Sequence, residues 1–384
     1  MIVLLQMFMQ RRFFSEESNQ QAGLEFYFDI VDSLDSEHYG GSYFDDNDNL
    51  IMLYTNYDTI YKNTSDYAIK EASERDYVSI QKASFSYKDL KNYLNILIER
   101  LNFKELGIEA LDIDVINNKV QVFIEKLDDE KVTAVSSLIP IAAVDFIEGK
   151  IVNMLDIEIE SNEYQNSILT NTINSAIALT PGQKICYGAG TSASMCLPGF
   201  GWKNNANNSY EYGFLTAGHI SASVGNPIYD ANNRLLGTVA RKTETSSVDV
   251  AFVKYNSAYD YEYVFLDGDN TYHMYSFEED YGIPINTKIK VYSYLGNVIG
   301  LLMSNNYTYI NGSTIWSNMI RTTAQTANGF SGAPVAINDS GYAEHKMILG
   351  YHIGRAVVDG VVYAFHGNFY YVKIENPDWV ISNP

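Results

Sequence analysis

Gly213-Phe214-Leu215-Thr216-Ala217-Gly218-His219-Ile220 is an apolar run that ends in small residues and a histidine. It reads as a buried strand whose end sets an imidazole at the lip of a cleft. Two further segments follow in the chain. Ser246-Ser247-Val248-Asp249-Val250-Ala251-Phe252-Val253 puts a carboxylate at the start of a second buried-strand pattern, and Thr326-Ala327-Asn328-Gly329-Phe330-Ser331-Gly332-Ala333-Pro334 puts a serine among glycines. A serine hydroxyl is a poor nucleophile near neutral pH. Acyl transfer from it needs an imidazole to take its proton and a carboxylate to hold that imidazole in one tautomer. His219, Asp249 and Ser331, in that order, supply all three groups. Glycine on both sides of the Phe330-Ser331 pair lets the backbone turn sharply and aim two N–H groups at one spot, an oxyanion hole.

Around these segments the C-terminal half is built of short Tyr, Val, Ile and Thr runs cut by Asn and Gly, the composition of an all-β domain. From about Thr180 to the C-terminus the chain resembles the chymotrypsin-like serine peptidases, in particular the bacterial branch of streptogrisins and alpha-lytic protease. The likeness rests on the three segments and on Lys184-Ile185-Cys186-Tyr187, Met195-Cys196-Leu197-Pro198-Gly199-Phe200, Leu236-Gly237-Thr238-Val239 and Ile348-Leu349-Gly350-Tyr351-His352-Ile353-Gly354, which fall where that branch has strands. The resemblance implies two antiparallel six-stranded β-barrels with the site between them. It makes His219 the general base, Asp249 its orienting partner, Ser331 the nucleophile, and the N–H groups of Gly329 and Ser331 the oxyanion donors. It implies a protein or peptide substrate and secretion from the cell.

The chain departs from that branch at two places. Phe330 stands where an acidic residue usually precedes the nucleophile, so the ion pair made from that position is absent. Ile220 stands where a cysteine commonly follows the histidine, so the disulfide that brackets it cannot form. The chain has only two cysteines, Cys186 and Cys196. Gly188, Gly190 and Ser192 suggest a turn between them, and a bridge across that hairpin would contribute about 2–3 kcal/mol. The other reading is two free thiols; the secreted habit of the branch favours the bridge. So few thiols and only six histidines predict no metal site, and nothing calls for a cofactor.

A protease of this kind needs roughly 200 residues, so the 384 present leave half the chain to another unit. Residues 1–178 carry 14 Lys and Arg against 31 Asp and Glu, whereas residues 179–384 carry 12 against 16. This acidic balance argues against nucleic acid as a partner. We expect a tail over 1–24, an acidic α+β domain over 25–160, a processing segment over 161–179 and the protease domain over 180–384. In the acidic domain Tyr39 to Asp46 reads as a turn and Asn49 to Thr55 as a strand. Leu90, Tyr93, Leu94, Leu97, Ile98 and Leu101 draw one apolar face along a helix from Tyr87 to Leu101 or Phe103. Ser86 is its N-cap, Asp89 suits its positive end, and Gly107 helps to end it. Asn118 to Glu125 alternates as a half-buried strand. The order of these pieces resembles the pro region of the same branch, which assists folding and blocks the cleft until removed. Double barrels depend on non-local strand pairing, which is slow to assemble.

Met1 to Met9 is apolar but Arg11-Arg12 follows it, the reverse of a secretory signal, and no run approaches the roughly 20 apolar residues of a membrane span. Asn204 to Asn208 reads as a loop. The strand after the nucleophile lines the pocket in this branch, which here gives His352, Gly354 and Arg355, with His366 on the next strand. Both histidines fall about where glutamate-specific relatives carry theirs, and Gln325 offers no charge for Lys or Arg. A carboxylate entering a closed pocket needs a partner for its lost hydration. The expectation is a preference for Glu or Asp on the acyl side of the cut bond. An enzyme of that taste processing itself would cut at Glu158, Glu160 or Glu163, since no acidic residue lies between Glu163 and Thr180. The rival reading is a catalytically silent homologue that acts as a secreted binding protein.

Overall fold

Runs of Val, Ile, Thr and Tyr in the C-terminal half pair into two closed barrels, onto which the acidic half docks. The computed structural model describes residues 18–60, 67–149, 151–155, 158–159, 177–187, 191–204, 209–220, 223–256, 261–263, 272–274, 282–311, 314–338, 346–358 and 361–381. Most of the expected tail, most of the processing segment with Glu160 and Glu163, and positions 205–208 of the Asn-rich loop lie outside these residues.

The acidic half opens with helix α1 (Asn19–Ile30), which starts before the boundary expected at residue 25. It packs on the sheet β1 (Tyr39–Phe44), β2 (Leu50–Tyr54) and β3 (Val78–Lys82). The stretch read as a turn from Tyr39 is therefore a strand, and the reversal falls after it, where Asp45 accepts from the N–H groups of Asn47 and Asn49 at 2.9 and 2.8 Å. Its paired glycines misled the reading. They serve close packing: a Cβ on Gly41, at φ +104°, would lie 2.6 Å from Val115 Cγ1. Helix α2 (Tyr87–Arg100) has the expected start, with Asp89 N–H donating to Ser86 Oγ and Ser86 N–H to Asp89 Oδ2, both at 3.1 Å. A box of this kind is worth about 1 kcal/mol. It buries Leu90, Leu94 and Leu97. Gly107, at φ +63°, closes the separate short helix Phe103–Leu106 rather than α2 itself.

A second sheet follows, of β4 (Ile108–Asp114), β5 (Lys119–Ile124) and β6 (Val144–Glu148), and the segment ends in β7 (Ile151–Leu155) and β8 (Glu158–Ile159). After β9 (Ile177–Leu179), barrel one is built from β10 (Lys184–Tyr187), β11 (Thr191–Ser194), β12 (Pro198–Asn204), β13 (Ser209–Ala217), β14 (Pro227–Asp230), β15 (Leu235–Glu244) and β16 (Asp249–Tyr255). The ladder runs β13-β16-β15-β14-β10-β11. It closes where the chain beyond β11 meets β13: Cys196 N–H donates to Leu215 O at 2.7 Å and Leu215 N–H to Leu197 O at 3.1 Å. Phe214, Leu236, Val250 and Phe252 are among the side chains buried in the apolar core around it, each burial contributing about 1.5–3 kcal/mol.

Two short strands, β17 (Tyr261–Tyr263) and β18 (Tyr272–Met274), precede barrel two. Its strands are β19 (Lys288–Val291), β20 (Val298–Asn311), β21 (Thr314–Thr322), β22 (Pro334–Ile337), β23 (Lys346–Val358) and β24 (Val361–Asn368). They pair in the order β19-β22-β23-β24-β21-β20, and β20 returns to β19, so the six-stranded barrel has no free edge within that circuit. Helix α3 (Phe369–Glu375) and β25 (Trp379–Ile381), which pairs with β12, lead the chain back to barrel one. The long β20 also pairs with β4, Thr308 opposite Leu111 and Tyr309 opposite Ala110, so the second acidic-domain sheet continues barrel two. One apolar core accordingly runs from α1 and α2 through Ile289, Leu302 and Leu349 of barrel two.

The expected Cys186–Cys196 bridge is absent, and both residues are buried thiols. The hairpin forms, but its register sets Cys186 opposite Ser192. Four extended residues separate that partner from Cys196, about 13 Å, beyond the reach of a disulfide. Burial pushes the Cys196 thiol well above its ordinary pKa. Thiol titration of the denatured, unreduced protein is expected to return both thiols, and reductant should leave the melting temperature unchanged; a chain two mass units light would refute this.

Candidate active site

β13 ends at Ala217 and a single turn, Gly218–Ile220, carries His219 into the cleft between the barrels. Asp249 is the first residue of the neighbouring β16 and is wholly buried. Its N–H donates to the Tyr351 hydroxyl at 2.9 Å, which fixes the strand end to barrel two. Gly218 matters here because a Cβ on it would lie 2.4 Å from Asp249 Oδ1. Only glycine lets the carboxylate approach the histidine turn so closely.

His219 Nδ1 bonds Asp249 Oδ2, and His219 Nε2 lies 2.8 Å from Ser331 Oγ. A carboxylate only accepts, so the ring proton sits on Nδ1 and leaves the Nε2 lone pair facing the serine hydroxyl. The three residues singled out by sequence are thus brought together in a continuous relay of hydrogen bonds.

The serine turn is held from both barrels. Gly329 at φ +95° and Gly332 at φ +86° adopt the left-handed backbone that favours glycine. A Cβ on Gly332 would lie 2.3 Å from both Ser194 O and Thr216 Oγ1, so the turn presses against barrel one. Ser194 N–H donates to Ser331 O at 2.8 Å, and Ser194 Oγ–H donates to Gly329 O at 3.1 Å. From the other side Gly332 N–H donates to His352 O at 2.9 Å and His352 N–H to Ala333 O at 2.7 Å. Phe330 is buried in the apolar core, its ring edge-on to His352 with centroids 6.1 Å apart. Packing takes over the support that an ion pair would give at that position.

β23 and β24 place His352 opposite His366, both 0% exposed. Their Nδ1 atoms lie 3.2 Å apart and His366 Nε2 is 2.9 Å from Thr322 Oγ1. Burial, reinforced by His352, holds the His366 imidazole well below its ordinary pKa. One of the two rings must donate to the other, so the pair carries one proton between its Nδ1 atoms. Gly354 and Arg355 follow on β23, with Arg355 Nη2 donating to Asn328 Oδ1 at 2.9 Å. Gln325 is exposed, and its amide donates to Thr323 O at 3.1 Å and Val362 O at 3.3 Å, so it lies on the rim and not at the base of a closed pocket.

Sequence reasoning missed what lies across this site. β7 pairs antiparallel with β23, from Val358 opposite Ile151 to Gly354 opposite Leu155, and β8 pairs antiparallel with β11. The signal was available: Leu155, Ile157 and Ile159 alternate with Asp156, Glu158 and Glu160, the period of a strand.

Comparison with family models and with curated proteins finds no match. Solved structures similar to the chain include a glutamic acid specific serine protease described as using a histidine triad in substrate binding, at 20% identity and TM-score 0.40, covering 51% of this chain and 97% of that one. Thermobifida fusca protease A is 20% identical with TM-score 0.38, covering 52% and 95%. Cellulomonas bogoriensis chymotrypsin is 16% identical with TM-score 0.38, covering 54% and 100%.

Proposed function

We propose that this chain is a serine endopeptidase that works through an acyl-enzyme. The observation that carries the reading is the relay from Asp249 through His219 to Ser331, with Nε2 at 2.8 Å from the hydroxyl oxygen. Ser331 Oγ attacks the substrate carbonyl while its proton passes to His219 Nε2. The N–H groups of Gly329 and Ser331 receive the developing oxyanion, His219 returns the proton to the leaving amine, and water then hydrolyses the ester by the same path reversed. A fluorophosphonate probe should label Ser331, located by mass spectrometry, and purified protein should hydrolyse a peptide library. Absence of both after the acidic half has been removed with an added protease would leave the silent binding homologue as the reading.

The acidic half is proposed to be a precursor domain for the barrels. Its continuous core and sheet with barrel two support a folding role, and β7 and β8 along the cleft support a blocking one. Export from the cell belongs to the same reading. Among the described residues no helix is long and apolar enough to cross a membrane.

For specificity we propose an acidic residue on the acyl side, with the His352–His366 pair as its partner and Arg355 near the rim. Burial holds His366 neutral, so binding a carboxylate at the pair would be coupled to uptake of a proton. The unperturbed histidine pKa is about 6.5. The kcat/KM ratio of Glu over Gln substrates should therefore fall as pH rises from about 5.5 to about 8. A flat ratio would remove the histidines from recognition and leave Arg355 alone.

A further inference from the structure

Tyr351 touches both ends of the hydrogen-bond relay, one with its main chain and the other with its side chain. On β23 its backbone pairs with Pro334, just beyond the nucleophile turn, and the next residue, His352, holds that turn at Gly332 and Ala333. Its side chain is wholly buried in the same apolar core as Phe214, Ala217 and Val250 of barrel one. There the hydroxyl accepts the Asp249 N–H at 2.9 Å. A Cβ on Gly367, its partner on β24, would lie 2.3 Å from Tyr351 Cζ and 2.5 Å from the hydroxyl oxygen. The ring reaches Asp249 only because that position carries no side chain. Asp249 has little else to aim it. Oδ2 is bonded to His219, whereas Oδ1 is buried with no hydrogen-bond partner among the described residues. A carboxylate held at one oxygen takes its direction from its own main chain. That main chain is the end rung of the β15–β16 ladder, opposite Glu244, where strands fray unless they are tied.

We propose that Tyr351 is a positioning residue of the triad, a hydroxyl reaching across the barrels to fix the Asp249 main chain and, through it, the aim of the carboxylate at His219. The proposal rests on the peptidase reading above. Asp249 and His219 stand on barrel one and Ser331 on barrel two, so the 2.8 Å between Nε2 and Oγ depends on how the barrels are tied at this point. A misplacement of about 1 Å can lower a rate on the order of a hundredfold. Tyr351 ties them with a single residue, its backbone on the side of the serine turn and its hydroxyl on the side of the carboxylate. Burial, reinforced by the charge of Asp249, pushes the phenol well above its ordinary pKa. It therefore stays a neutral hydroxyl, and Tyr351→Phe removes no charge from the site. Phenylalanine also keeps the ring and its packing, so the substitution isolates the hydrogen bond to Asp249.

The test is a double-mutant cycle of Tyr351→Phe with Asp249→Ala in the full chain. It is read as the rate at which a fluorophosphonate labels Ser331, before and after treatment with an added protease, and as kcat and KM on a peptide. Expected for Tyr351→Phe is a loss of about ten- to hundredfold in kcat and in labelling rate, with KM within about twofold of the parent. Asp249→Ala keeps the N–H but has no carboxylate to aim. Adding Tyr351→Phe to it should therefore lower the labelling rate no further. A Tyr351→Phe chain as fast as the parent overturns the proposal. So does a loss confined to KM, or a loss by the same factor in both backgrounds, which would mark a general loosening of the cleft. In each of these cases a parent chain labelled at Ser331 keeps the peptidase reading. A parent chain that takes no label, before or after the protease, loses that reading and the proposal with it.

Discussion

On the proposed peptidase reading, Ser331→Ala is expected to lower peptide turnover by about a factor of 10⁶ while leaving the fold intact. The hydroxyl is the only atom lost, and Ser331 is already wholly buried in a turn fixed by backbone hydrogen bonds that alanine keeps. Because His219 acts only through that hydroxyl, His219→Ala should cost nearly as much, and the double variant little more than either. Asp249→Asn tests a different link. An amide at that position can present its N–H to Nδ1 and so turn the wrong ring nitrogen toward the serine, a loss of about 10⁴. Steady-state kinetics on a peptide substrate, with circular dichroism to confirm folding, checks all four. Hydrolysis that survives Ser331→Ala in homogeneous protein would remove the assignment, since among the described residues Ser331 is the hydroxyl on the Asp249–His219 relay.

The triad was legible because His219 and Asp249 sit at strand ends and Ser331 in a glycine turn, and all three are written locally, in Leu215-Thr216-Ala217 before His219, Val250-Ala251-Phe252 after Asp249 and Gly329 and Gly332 around Ser331. The α2 cap was legible for the same reason: Ser86 and Asp89 need only each other. What depends on register was not. Cys186 lies opposite Ser192 and not opposite Cys196 because barrel closure carries Cys196 away to pair with Leu215, which no spacing rule foretells. Tyr39 to Phe44 looked like a turn because its glycines were read as chain reversal, whereas they admit Val115 and Ala83 close to the strand. The union of the acidic half with barrel two involves residues some 200 positions apart in sequence, Asp112 with Ser304 and Arg321, and only the fold brings them together.

That last contact yields a sharply asymmetric expectation. Asp112 on β4 and Arg321 on β21 are both buried, with Nη2 2.7 Å from Oδ2. Asp112 Oδ1 also accepts from Ser304 Oγ and from the Ile113 N–H. The guanidinium lies near the rings of Phe123 from the acidic half and of Tyr307 and Tyr363 from barrel two. The pair is imperfectly satisfied, because Arg321 Nε is buried without an acceptor and Oδ2 meets the guanidinium off the hydrogen-bonding angle. Replacing both partners by apolar residues should therefore be neutral or stabilising, whereas removing one leaves a buried charge at about 3–5 kcal/mol. Which one is removed decides the pH dependence. Burial, opposed by Arg321 and Ser304 and aided by Asp114, pushes the Asp112 carboxyl up to about 6. A carboxyl raised in this way favours the docked, folded state most fully below its ordinary value and loses that contribution as pH rises through about 6. Arg321→Met removes the attraction that keeps Asp112 charged. Its loss of stability should be large at pH 7.5 and shrink toward pH 5 as the carboxyl takes a proton. Asp112→Leu strands a guanidinium that cannot discharge and also forfeits the carboxyl's contribution at low pH, so its loss should be larger at pH 5 than at pH 7.5. Urea unfolding of each variant in the Ser331→Ala chain, which keeps the two halves joined, measures the difference. Equal pH profiles for the two single variants would show that charge at this joint does not govern how the acidic half is held.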